Sequence, residues 1–125
     1  MNARDPLLPV QPDEADAIAR YASQVWDEEI VPKITDYIAI PAKSPMFDAD
    51  WAANGHIEKV IRDAAAWVES KNVAGLKLEV VRIEGRTPVI FFEVPATKAG
   101  STDTICLYGH LDKQPEFNGW RNDLG

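Results

Sequence analysis

The stretch "LKLEVVRIEGRTPVIFFEV", residues 76–94, decides the fold class. Upstream of Leu76 the apolar residues recur every three or four positions. From Leu76 the period changes to two, and Leu76, Leu78, Val80 and then Arg82 fall on one side of an extended chain. "GRT" reads as a turn and "PVIFFEV" as a second strand. The expectation is a hairpin of residues 76–84 and 88–94.

Working outward, two helical patterns precede the hairpin. Asp13 opens the first, with acids in its first turn as the helix dipole favours. Ile18, Tyr21, Ala22, Val25 and Trp26 draw one apolar face. Pro32 interrupts, "KITDYIAI" continues with Ile34, Tyr37 and Ile38, and Pro41 and Pro45 end it. The second helix spans residues 56–71. Ile57, Val60, Ile61, Ala64, Trp67 and Val68 should face a sheet, and Gly75 serves as terminator.

After the hairpin, "PATKAGSTD" is a polar loop. "TICLYG", residues 104–109, is apolar on both faces and reads as a central strand covered on both sides. The expected fold is layered α/β: two helices packed on a sheet of residues 76–84, 88–94 and 104–109.

Composition narrows the function. The chain has 125 residues, 46% hydrophobic and 26% charged, which suits one small domain with a core. Twenty acids against 13 Lys and Arg give a formal net charge of −7. That balance disfavours a nucleic-acid backbone or an anionic membrane as partner. The single cysteine, Cys106, cannot form an internal disulfide, so a reducing compartment is expected. Its place in an apolar strand reads as a small core residue. The N-terminus lacks the apolar stretch of a signal peptide and no run approaches a membrane span, so the expected location is the cytoplasm.

The chemistry concentrates where the third apolar segment ends, in "LYGHLDKQPEFNGW", residues 107–120. In an extended chain Tyr108, His110 and Asp112 share a side, and Gly109 leaves room for a close approach. Carboxyl ends of central strands are where α/β sheets bind ligands. A neutral imidazole is a common zinc ligand, and a carboxylate often fixes its tautomer. From the residues alone, His110 and Asp112 fit either that arrangement or an ordinary polar pair in a surface loop.

The motif resembles a signature of the dizinc metallopeptidase and deacylase family. This family includes carnosinase-like dipeptidases, aminoacylase, acetylornithine deacetylase and succinyl-diaminopimelate desuccinylase. The matching residues are Gly109-His110-Leu111-Asp112, Gln114-Pro115 and Gly119-Trp120. The Lys-Gln-Pro version is most similar to the dipeptidase branch. "YIAIPAKSP", residues 37–45, resembles the family's Ile-Pro-Ser segment more weakly. The resemblance implies that His110 binds one of two zinc ions and that Asp112, the catalytic-site carboxylate, orients it. Gln114 and Pro115 would shape the loop, while Trp120 is read as covering the core. The implied substrate is a small peptide or an acyl-amino acid.

In that family the other ligands and the general base lie C-terminal to this motif. His56, the only other histidine, reads as a helix-end residue. Asp13, Glu14 and Asp16 read as first-turn helix charges, and Asp27, Glu28 and Glu29 as a solvated helix face. Residues 1–125 are therefore expected to be the N-terminal part of the catalytic domain, inactive alone, weak in zinc binding and prone to self-association. The alternative is a non-catalytic binding or interaction module on the same scaffold.

Overall fold

The computed structural model describes residues 11–98, 100 and 103–123. The chain divides into two compact units, Met1–Ala39 and Ile40–Gly125.

The first unit is helical. α1 runs Pro12–Val25 and α2 runs Val31–Ala39, joined by a π-turn at Trp26–Ile30. Pro12 stands at the first helical position, where a missing N–H costs nothing. The Gln11 N–H donates to Glu14 Oε2 at 3.1 Å. Pro32 does not end the helix as a regular α-helical ladder would require. Its ring would collide with the carbonyl four residues back. The π-turn widens the backbone just before it, and the Val31 N–H reaches back five residues to the Trp26 carbonyl. Among the described residues of this unit no second element covers the rod. Ile18, Tyr21 and Trp26, which draw the apolar face, stay exposed.

The second unit carries the mixed α/β part. A short α3, Trp51–Asn54, leads through Gly55 into α4, His56–Ser70. Gly55, at φ 70°, closes α3 by donating to the Trp51 carbonyl and opens α4 by accepting from the Lys59 N–H. Asp48 pins α3: its carboxylate accepts from the Asp50 N–H and from Asn54 Nδ2. Ile57, Val60, Ile61 and Ala65 are buried on one face of α4, while Ala64, Trp67 and Val68 are half-buried beside them. The left-handed residue that stops the chain after α4 is Asn72, at φ 50°, not Gly75. Asn tolerates the left-handed region, and its Nδ2 donates to the Ser70 carbonyl at 2.9 Å. Gly75, at φ 77°, instead turns the chain into the sheet, where the Leu76 N–H donates to the Val73 carbonyl.

β1, Lys77–Val81, and β2, Val89–Glu93, form the expected antiparallel hairpin. Leu78 pairs with Phe92 and Val80 with Ile90. Leu78, Val80 and Ile90 are half-buried on the face that α4 covers. Arg82 continues that face, and its guanidinium meets Glu58 in the first turn of α4 at 2.7 Å. The connection contains a turn closed by the Arg86 N–H on the Ile83 carbonyl, with Gly85 at φ 72°. Of the two helices expected on the sheet, α4 lies on it.

Residues 104–109 depart from expectation. No ladder joins them to another described segment, and the sheet has two strands. Ile105, Leu107 and Tyr108 are 88%, 89% and 91% exposed, and Cys106 is exposed instead of in the core. The physical reason is that a strand exists through its neighbours. An apolar run records suitability for burial on both faces, and among the described residues nothing covers either face. The fold is thus mixed α/β, with a helix on a two-stranded sheet.

Candidate functional site

Two irregular segments build the site: residues 40–44 and residues 110–116. They meet in a parallel bridge between Lys43 and Lys113. The Lys113 N–H donates to the Ala42 carbonyl at 2.8 Å, and the Ser44 N–H donates to the Lys113 carbonyl at 2.9 Å. The Lys113 ammonium also donates to the Ile40 carbonyl. Ala42 at the centre is fully buried. Partial burial of Lys113 lowers its ammonium pKa, because desolvation disfavours the charged form.

A second tie lies three residues on. Lys43 Nζ is 3.0 Å from Glu116 Oε2. The Glu116 carboxylate has its pKa lowered, first by its own backbone N–H and then by hydrogen bonding and attraction from Lys43. Glu116 is exposed and Lys43 half-buried, so the pair guides the loop without contributing much stability.

His110 and Asp112 stand at the start of this tethered loop. His110 Nδ1 is 3.0 Å from the Asp112 carbonyl oxygen and 3.2 Å from Asp112 Oδ1. Both neighbours are acceptors, so Nδ1 must carry the proton to satisfy them. In the neutral ring the lone pair then sits on Nε2. Nε2 has no partner among the described residues, and the side chain is 68% exposed. Asp112 is more sheltered, at 38%. The structure thus brings His110 and Asp112 together, with the Asp112 carbonyl oxygen the nearer of the two acceptors.

Other site expectations fare differently. Trp120 is exposed and covers no core. A Cβ at Gly109 would meet nothing within 4 Å, so no other described segment of the chain comes close there. Gln114 and Pro115 lie in the exposed part of the loop. His56 opens α4 as a helix-end residue. Asp13 and Glu14 occupy the first turn of α1, while Asp27, Glu28 and Glu29 are exposed in the π-turn.

No sequence pattern assigns a structural or chemical role to Lys43, Lys113 or Glu116. Their only signal was position, Lys113 inside the motif and Lys43 inside "IPAKS". Through these residues the structure joins 40–44 to 113–116, within the segments that carried the resemblance.

A catalytic zinc site uses three protein ligands and one open position. Among the described residues no three of His, Cys, Asp and Glu come together to hold a metal ion. His110 has the chemistry of one ligand, and the described residues do not by themselves form a site. No helix among them is long and apolar enough to cross a membrane. No protein-family model matches the chain, and no curated protein matches it.

Proposed function

We propose that this chain contributes one metal ligand to a zinc-dependent metallopeptidase that hydrolyses a dipeptide or a related N-acyl amide. The observation that supports this is the polarity of the His110–Asp112 pair. His110 Nδ1 lies 3.0 Å from the Asp112 carbonyl oxygen and 3.2 Å from Asp112 Oδ1, an arrangement in which Nδ1 donates and the Nε2 lone pair is left exposed. In this reading His110 is the ligand and Asp112 holds its ring and tautomer. The remaining ligands and the general base come from outside the described residues, and residues 1–125 are the N-terminal part of the catalytic domain. Zinc, when bound, would polarise a scissile carbonyl and acidify water. This chain's own task is to present one oriented imidazole.

The test is made on the full-length protein. Chelation should abolish dipeptide hydrolysis, and His110→Ala should remove most of the activity and lower zinc content. Near-normal turnover and zinc content in that variant would exclude His110 from the ligand set. The reading of the chain as a binding module is favoured by one observation, the lack of a three-donor grouping among the described residues. Full-length protein that is folded, free of metal and inert toward dipeptides would decide for the module.

A further inference from the structure

The hydrogen bonds at Lys113 carry an inference about the loop that presents His110, and it rests on the metal-ligand reading above. His110 is exposed, Asp112 is half-buried, and neither belongs to a helix or strand. An imidazole in such a place would sample many orientations unless something fixes the backbone beneath it. The fixing contacts fall on the next residue. The Lys113 N–H and carbonyl are both engaged by the 42–44 backbone, at 2.8 and 2.9 Å. Its ammonium reaches further along the same segment to the Ile40 carbonyl. One residue thus makes three hydrogen bonds to residues 40–44, two from its backbone and one from its side chain. Asp112, the preceding residue, cannot move far without breaking the first of them.

We infer that Lys113 is a positioning residue for the His110–Asp112 pair, clamping the loop to residues 40–44 so that Asp112 faces His110 Nδ1. An ordinary surface lysine would leave its ammonium in water. Here the ammonium is directed back across the chain onto a backbone carbonyl 73 residues away. Lys113 touches neither the proposed metal nor a substrate in this arrangement. It acts through the backbone it holds.

The tautomer of His110 reads this out directly. The chain has only two histidines, so His56 on α4 serves as an internal control. Long-range proton–nitrogen NMR of the 125-residue chain should show His110 enriched in the Nδ1–H form. Lys113→Ala should cut the ratio of Nδ1–H to Nε2–H about fivefold, the weight of one net hydrogen bond. His56 should not change, and Lys113→Arg, which keeps a donor, should restore the ratio. If Lys113→Ala leaves His110 as in the wild type while Asp112→Asn shifts it, the clamp is overturned and the His–Asp pair survives. If Asp112→Asn shifts nothing either, the pair itself fails, and the metal-ligand reading with it. Should Lys113→Ala not fold, wild-type amide exchange decides. Protected Lys113 and Ser44 amides beside freely exchanging amides at 117 and 118 support the clamp, and unprotected ones overturn it.

Discussion

Residues 76–94 and residues 104–109 have similar chemistry and different fates. Both are rich in β-branched and aromatic residues. The first forms a hairpin with a defined register, and its inner residues are sheltered by α4. The second has no ladder partner among the described residues and leaves Ile105, Leu107 and Tyr108 in water. The difference lies in what each segment can reach. The hairpin finds its hydrogen-bond partner across a seven-residue connection and its cover in the helix just before it. Residues 104–109 have no such local partner. Apolar content alone does not make a strand; a neighbour does.

Substitutions can break that comparison. The largest effect is expected in the core of α4. Ile61→Ala should cost about 2–5 kcal/mol, since Ile61 is buried and its loss opens a cavity. Leu107→Ala should change stability by less than ~0.5 kcal/mol, as an exposed position does. Urea unfolding of both variants measures the contrast. Equal losses would show that residues 104–109 are packed after all.

The turns that lead into and through the hairpin come next. Gly75→Ala and Gly85→Ala both force a side chain into the left-handed region, at about 1–2 kcal/mol each. At Gly75 the new Cβ would also stand 2.9 Å from Pro95 Cγ, whereas at Gly85 it meets open space. Gly75→Ala should therefore be the more damaging in thermal melts.

A smaller effect is expected in the tethered loop. Glu116 has a lowered pKa in the folded chain, so its contribution is present above the unfolded value and fades as pH falls through the folded one. Carboxyl-carbon NMR should find Glu116 titrating below ordinary glutamate. Lys43→Met should raise its midpoint, with the part due to the backbone N–H remaining. An unchanged midpoint would mean that Lys43 does not hold the loop.

The smallest effect concerns Cys106. Its thiol is exposed, so the folded chain should react with Ellman's reagent as fast as the urea-unfolded chain does. Cys106→Ser should leave the melting temperature unchanged. Slow labelling would indicate cover over residues 104–109 and sharpen the contrast with the hairpin in the other direction.

The candidate site was partly legible. Alternation placed His110 and Asp112 on one side of an extended chain, and their side chains do meet. The clamp was not legible, because it joins Lys113 to residues 40–44 across about 70 positions. No local period encodes such a contact. Nothing in the spacing of Lys43 and Glu116 announces that they pair.

The sequence by itself determined what depends on near neighbours. The period of Ile57, Val60 and Ile61 made a helix with one apolar face. The alternation from Leu76 made a hairpin, and Arg82 followed its inner face to Glu58. Hydrogen bonds within four residues and pairing across a short turn carry that information locally. Tertiary structure alone decided whether the apolar run at 104–109 has a partner and which backbone holds the loop of His110. Those outcomes depend on which groups meet in space, and a linear pattern records only what each segment is able to bury.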